Sequence, residues 1–504
     1  MYYNLSYYIN KLKLENLFIR QELFDTEDQT VLHLEQNSKK VVPGTLFICK
    51  GAHFKIEYLK EAIQRGAIGY LSEKEYDLDE TIPHVIVSDI RVAMPLMAEI
   101  FYNHPQEKLK IVGVGGTKGK TTTSYFIKAI LDTYLKAQRK APAGLISSIT
   151  NYGGKNEEEA QNTTPEALDL QAHLAEAVQS GLEYVVIEVS SQALKYHRTD
   201  RIEFDVSIFL NIDEDHISPI EHPNFEDYIQ SKAKMFGQTK DLIVNLNTQE
   251  PEYIFDKAKD AERFYSFGLN SAEADYYAYD LETVELESHF KIHSKTIDET
   301  FALAMLGDYN VENALAAVAA TDLLGIPVDY AVEALRGVNV PGRMRILSSA
   351  DKKIIAIADF AHNRLSFERL ITGMKEAHPD YKIISIFGAP GGKALGRRKE
   401  LGTVGGKYSD FVYITMDDPG LEKVEDISKE ISHFVEGEGT PFTYIENREE
   451  AIQTAFKDVE EKSLILVIGK GHEETMKIGD KEVPIKSDEK IIKECIEKYN
   501  THLE

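Results

Sequence analysis

The run GVGGTKGKTT at 113–122 constrains this chain more than any other segment. It completes the strand-like KIVGVGG and precedes the helical SYFIKAILDTYL, the strand–loop–helix setting that a phosphate-binding loop requires. Glycines let the backbone approach a phosphate, the helix start supplies oriented N–H groups, and Lys120 supplies positive charge. Thr121 is placed to ligate Mg²⁺. The strict G-x-x-x-x-G-K-[ST] spacing would put glycine at 114, where the chain has Val114; Gly113 sits one residue earlier.

Short β-rich runs alternate with helical stretches on both sides of this loop. They include IVGV (111–114), YVVIEVSS (184–191), FDVSIFLNI (204–212) and DLIVNLN (241–247). Near-continuous apolar strands separated by helices imply a parallel sheet covered on both faces. A second series follows VPGRMRIL (340–347): KIIAIADF, KIISIFGA, DFVYITMDD and SLILVIGKG. Upstream, an amphipathic helical stretch at 91–103 ends at His104-Pro105, and proline disfavours helix in the residue before it. The expected fold class is α/β in three domains, 1–107, 108–341 and 342–504, the first being a smaller mixed α/β unit. A length of 504 residues agrees, at about 150 residues per domain. Polar stretches such as GGKNEEEAQN (153–162) read as surface loops.

Lys+Arg number 57 and Asp+Glu 83, a formal charge of −26, which argues against phosphate-rich nucleic acid or anionic membrane as a general partner. A local cluster of N–H groups still suits a small phosphate ligand. Cys49 and Cys495 are the only cysteines, too few for a disulfide scaffold or a cysteine zinc site. No signal peptide and no run approaching 18 apolar residues is visible, so the chain reads as soluble and cytoplasmic.

A second cluster, Glu188-Val-Ser-Ser191, ends a predicted strand, where open α/β sheets place ligands. Asp215-His216 after the next strand adds a candidate metal ligand. Oxygen ligands with one imidazole suit Mg²⁺ or Mn²⁺ better than Zn²⁺.

These motifs, taken in order, resemble the Mur ligases, ATP-dependent amide ligases of peptidoglycan precursor synthesis. The resemblance runs through GTKGKTT (116–122), NTTPEALDL (162–170), EVSSQAL (188–194), FDVSIFLNIDEDHI (204–217) and HPNFEDYIQSKAKMF (222–236). It continues in GDYNVENALAA (307–317), VPGRMRIL, DFAHN (359–363), DDPG (417–420) and GKGHE (469–473). It implies a UDP-binding N-terminal domain, a central ATPase and a C-terminal Rossmann-like domain. It also implies ATP and Mg²⁺ as requirements, with UDP-N-acetylmuramoyl-dipeptide and a free diamino acid as partners and a monomeric state.

By the same resemblance, Gly116, Thr117, Lys118, Gly119, Lys120, Thr121 and Thr122 hold ATP, together with Asn310, Asn313, Arg343, Asp359 and His362. Thr121, Glu188 and His216 would hold metal, and Lys232 matches a lysine carbamylated by CO₂, an N6-carboxylysine. The catalytic set is then Lys120, Glu188, His216 and Lys232. Ser38, Asn162, Thr163, Thr164, Ser190 and Arg198 match UDP-substrate contacts; the family's Asp-Ser-Arg reads Asn37-Ser38-Lys39 here. Lys393, Asp417, Asp418, Gly469 and Glu473 fall in the amino-acid pocket. Diaminopimelate-using relatives carry Asp-Asn-Pro-Arg where this chain has Asp417-Asp418-Pro419-Gly420. Two acidic residues without the arginine suit an ammonium tail, so L-lysine is the expected diamino acid, with meso-diaminopimelate or ornithine as alternatives. A folylpolyglutamate synthetase-like paralogue and a non-catalytic nucleotide-binding regulator are the competing readings.

Overall fold

The computed structural model describes residues 2–22, 28–51, 54–78, 82–214, 217–218, 221–393 and 395–503. The chain divides into two compact units, one comprising 1–277, 293–297 and 315–334, the other 278–292, 298–314 and 335–504.

The first unit contains two sheets. The smaller has the spatial order Phe18–Glu22, His84–Val87, Ala67–Ser72, Thr45–Ile48, His33–Glu35, and is parallel except at its first pair. This is the mixed α/β unit expected from the first hundred residues. The 91–103 helical stretch is a helix, Ile90–Phe101, capped by Asp89, whose carboxylate accepts from the Arg91 and Val92 amides. Its apolar face shares a core with Leu46, Ile48, Val85 and Val87 of the sheet and with Ala167 and Leu168.

The larger sheet has six parallel strands in the order Arg263–Leu269, Thr239–Asn245, Phe204–Phe209, Lys110–Gly115, Tyr184–Glu188, Gly144–Ile146. Lys110–Gly115 is therefore central, and its close packing explains two of its glycines. A Cβ on Gly113 would lie 2.8 Å from the Phe204 ring, and one on Gly115 would lie 2.7 Å from Met235 Cε. Two antiparallel strands, Thr150–Tyr152 and Glu157–Glu159, extend the sheet past Gly144–Ile146. The second falls in the stretch read as a loop: its three glutamates are all exposed and carry no apolar alternation, so only its backbone pairing makes it a strand.

In the second unit a six-stranded sheet runs Arg345–Ser348, Ile354–Asp359, Ser463–Ile468, Lys382–Phe387, Phe411–Ile414, Phe442–Tyr444, parallel except at its first pair. Asp359 ends one strand, Gly469 directly follows another, and Asp417 lies three residues beyond a third. The predicted ligand residues thus lie at the carboxyl ends of three strands of one sheet, the side on which an open parallel sheet leaves its crevice. Among the described residues no helix is long and apolar enough to cross a membrane.

Candidate active site

The phosphate loop lies between the central strand and the helix Lys120–Ala137, whose N-cap Gly119 has φ +88°. Gly116, at φ +144°, is packed so that a Cβ would sit 2.9 Å from Leu210 Cβ. Both positions need glycine for conformation, and Gly116 also for space. Asn211, at the end of the neighbouring strand, clamps the loop tip. Its Oδ1 accepts from the Thr117 and Lys118 amides at 3.1 and 2.8 Å, and its Nδ2 donates to the Lys118 carbonyl at 3.1 Å. Thr117 Oγ1 lies 3.0 Å from the Tyr228 hydroxyl and accepts from the Asp213 amide.

Two lysines converge on this loop. Lys120 Nζ donates to the carbonyls of Gly116 and Thr117 at 3.0 and 3.1 Å. Lys232 Nζ donates to the same Gly116 carbonyl at 2.6 Å, and is 4.8 Å from the centre of the Tyr228 ring. Lys232 occupies the last turn of the helix Phe225–Ala233, four residues after Tyr228, so both face inward; the lysine is only 2% exposed. Asn224 caps this helix by accepting from the Asp227 amide.

Register pairs Glu188 with Val114, bringing its carboxylate beside the loop helix. Thr121 Oγ1 donates to Glu188 Oε2 at 3.1 Å, and the Ser148 amide donates to Oε1 at 3.1 Å. The Ser148 hydroxyl is 3.0 Å from Thr121 Oγ1. Thr121, Ser148 and Glu188 therefore form a set of hard oxygen donors at the start of a helix, a donor set that fits Mg²⁺. His216, the remaining predicted metal ligand, and its neighbour Asp215 lie outside the described residues.

Beyond Glu188 the cleft opens toward the predicted substrate residues. Thr164 Oγ1 donates to the Glu188 carbonyl and accepts from the Ser190 amide. Arg198 donates to the Thr164 carbonyl at 3.0 Å and pairs with Glu166 at 2.7 Å, and Glu166 also pairs with Lys50. A cavity of about 340 Å³ is lined by Lys120, Asn162, Thr163, Ser190, Arg198 and Lys232, with Ser148, Gln192 and Glu221 among its other walls. Six residues chosen from sequence thus share one cavity. Ser38 lies in the smaller sheet's part of the unit, buried, with its hydroxyl donating to Glu61 at 2.7 Å.

The other predicted residues belong to the second unit. Asn310 and Asn313 are buried on the helix Asp308–Leu323, and Asn310 Nδ2 donates to the Leu306 carbonyl at 2.8 Å. Asp359 accepts from the Met344 and Ala361 amides, and burial raises its pKa against the lowering pull of Arg343. Arg343 stacks on Phe360, and His362 Nδ1 lies 2.8 Å from the Phe360 carbonyl. In the amino-acid group, burial raises the Asp417 pKa, opposed first by Arg448. Gly469 leaves room for it, since a Cβ there would meet Asp417 Oδ2 at 2.2 Å. Asp418, at φ +45°, accepts from Lys470 Nζ at 3.0 Å and from the Lys477 amide. Lys470 also pairs with Glu473, whose pKa burial raises. Lys393 is exposed. Sequence reading missed Asn211, Ser148 and Lys470. Lys470 sits inside GKGHE, between Gly469 and Gly471, and only the fold brings its ammonium to Asp418 and Glu473.

A nucleotide-type phosphate loop, an oxygen-donor metal set and a polar cavity on one parallel sheet define a phosphate-loop α/β enzyme. Residues 114–321 match the Mur ligase middle domain and residues 342–471 match the Mur ligase glutamate ligase domain. The chain belongs to the Mur ligase family. It is 37% identical over 468 residues, 92% of each chain, to the UDP-N-acetylmuramoyl-L-alanyl-D-glutamate–L-lysine ligase of Streptococcus thermophilus. It is 36% identical over 494 residues to the UDP-N-acetylmuramyl-tripeptide synthetase of Limosilactobacillus reuteri, covering 93% of this chain and 94% of that one. In fold it is similar to a solved UDP-N-acetylmuramoyl-L-alanyl-D-glutamate–2,6-diaminopimelate ligase, with a TM-score of 0.68, 22% identity and 99% of each chain covered.

Proposed function

We propose that this enzyme joins L-lysine to the D-glutamyl carboxylate of UDP-N-acetylmuramoyl-L-alanyl-D-glutamate, at the expense of ATP, in peptidoglycan precursor synthesis. The observation that carries the reading is the single cavity in which the phosphate-loop Lys120 and the buried Lys232 face Asn162, Thr163, Ser190 and Arg198. A carboxylate is a poor electrophile. Its oxygen takes the γ-phosphoryl group of ATP, ADP leaves, and the resulting acyl phosphate accepts the amine of the amino acid. The tetrahedral adduct then expels phosphate and loses a proton, leaving the amide. Such chemistry needs positioning and charge neutralisation.

Lys120 and the N–H groups at the start of its helix neutralise phosphate charge. Thr121 and Glu188 would hold Mg²⁺, which when bound screens phosphate from carboxylate. Arg198, anchored by Glu166 and the Thr164 carbonyl, orients the muramoyl-peptide end. Lys232 acts as its carbamate, and the amino-acid tail is received by the Asp417, Asp418 and Glu473 group. Domains 1–107, 108–341 and 342–504 supply the UDP, ATP and amino-acid parts respectively. The substrates are water-soluble, which suits a cytoplasmic enzyme. Incubation with ATP, Mg²⁺ and the UDP-muramoyl-dipeptide, followed by a scan of amino acids for phosphate release, tests the reading. L-lysine should give the strongest release; release with folate substrates instead, or with none, would overturn it.

A further inference from the structure

We infer that Glu22, Glu75 and His84 form a binding site for a divalent transition-metal ion of the Zn²⁺ class, apart from the reaction cleft. Each side chain offers one ligand atom, and the three atoms lie within 4.8 Å of one another. The site stands at the antiparallel edge of the smaller sheet. Glu22 and His84 are direct cross-strand partners, and Tyr70 pairs with His84 from the other side, so the three share a face. Glu75 arrives from the turn after Ala67–Ser72.

His84 carries the argument. It is 5% exposed, and its ring stacks on Tyr70 at 5.0 Å with an interplanar angle of 17°. Its Nδ1 is 3.2 Å from the Ile82 carbonyl oxygen. A carbonyl only accepts, so Nδ1 donates to it and Nε2 is the ring nitrogen left to meet a metal. That tautomer, fixed by a backbone carbonyl, is the usual second-sphere arrangement of a metal-binding histidine. Nε2 faces Glu22 Oε2 at 3.7 Å and Glu75 Oε1 at 4.0 Å, both beyond hydrogen-bond range. Ligands about 2.1 Å from one tetrahedral ion stand roughly 3.4 Å apart, so a small inward movement closes the set.

The neighbouring charges leave room for an ion. Arg20 Nη2 pairs with Glu75 through Oε2 at 2.5 Å, leaving Oε1 for the metal. With only three protein ligand atoms converging and a fourth position open, the site suits the four-coordinate geometry of Zn²⁺ or Co²⁺, whereas Mg²⁺ and Ca²⁺ take six or more oxygen ligands. A cavity of about 400 Å³, walled by Tyr70, Tyr76, Asp77 and Ile82 with Glu75 and His84, opens beside the ligands and admits water to a fourth position. A bound ion would tie the edge strand Phe18–Glu22 and the Glu75 turn to the buried strand His84–Val87, stabilising this sheet.

The test uses untagged full-length protein stripped with chelator and titrated with Zn²⁺, and separately with Co²⁺, in excess Mg²⁺ that occupies the phosphate-loop oxygen site. The expected result is one Co²⁺ with a visible spectrum of nitrogen and oxygen ligation, and a melting temperature raised by Zn²⁺. Glu22→Gln and Glu75→Gln should each weaken Zn²⁺ binding by at least the roughly 10- to 100-fold that loss of an outer-sphere partner costs. Both glutamates are about half exposed, so the metal-free variants should melt near the wild type. His84→Asn should remove the site; should it fail to fold, the two glutamate variants decide. Absence of one-site binding, or binding undiminished in both glutamate variants, would overturn the inference.

Discussion

Lys120 and Lys232 donate to the same acceptor, their Nζ atoms lying 3.0 and 2.6 Å from the carbonyl oxygen of Gly116. Two ammonium groups held on one carbonyl oxygen beside a phosphate loop repel each other. A neutral amine is the form that adds CO₂. A carbamate at Lys232, as proposed above, would keep an N–H for the Gly116 carbonyl while replacing a positive charge with a negative one. Lys232 is buried against this loop carbonyl whereas Lys234 is exposed, so of the two it is Lys232 whose charge bears on the phosphate site.

Lys232→Ala is accordingly expected to lower turnover by a hundred- to a thousandfold, the worth of about 3–4 kcal/mol of positioned charge. Carbon NMR on protein equilibrated with ¹³C-labelled bicarbonate should show one carbamate signal, absent from the variant. Full activity of the wild type in CO₂-depleted buffer with no such signal would sink the carbamate.

Lys120→Ala should cost a similar factor while leaving the fold intact, because its side chain binds loop carbonyls and fills no core. Near-normal turnover at saturating ATP and Mg²⁺ would rule out the phosphate-loop role, and an unchanged circular-dichroism melt would exclude unfolding as the cause of a loss.

The site was legible in sequence where chemistry dictates spacing. Gly116, Gly119 and Lys120 are fixed by the geometry of a loop around phosphate, and Glu188 by its strand end, so these fall together in the structure. Ser38, Asn162 and Arg198 were reached through family motifs alone; nothing in their local pattern separates them from ordinary polar residues. Asn211 was illegible because an asparagine after a strand reads as any turn former, and only the fold places its carboxamide against Thr117 and Lys118. Glu157–Glu159 has no strand signature in sequence, because three consecutive glutamates lack the alternation that marks a half-buried strand.

Asp488 is predicted to matter for stability. It is fully buried, receives two 2.7 Å bonds from the Arg448 guanidinium, and accepts from the Gly471 amide at 3.0 Å. Arg448 also donates to the Ile468 carbonyl, so the pair holds the turn that carries Gly469 and Glu473. Asp488→Asn leaves a buried guanidinium without its hydrogen-bonded carboxylate, a change worth about 3–5 kcal/mol. Urea unfolding monitored by circular dichroism should show that loss; a midpoint within error of the wild type would contradict it.

The last prediction concerns the amino acid, and rests on which cations remain to meet a second carboxylate. L-lysine ends in an ammonium, whereas meso-diaminopimelate carries a further carboxylate there. Gly420 stands where diaminopimelate-using relatives have arginine, and its amide and carbonyl bond to Lys477 and Gly479. Arg398, a nearby substitute in sequence, is held between Glu422 and Glu430 at 2.7 and 3.0 Å and is committed to them. Lys470 is likewise held by Asp418 and Glu473. Diaminopimelate would have to bring its far carboxylate toward Asp417, Asp418 and Glu473, whereas a lysine ammonium would be drawn to them. Desolvating an unpaired carboxylate costs several kcal/mol, enough for about a thousandfold preference. Ornithine, one methylene shorter, should lose only about 10- to 200-fold. L-lysine is therefore expected to show the highest kcat/KM in direct competition, and Gly420→Arg to narrow the gap by raising turnover of diaminopimelate. Equal or faster use of meso-diaminopimelate by the wild-type enzyme would show that another cation reaches its far carboxylate.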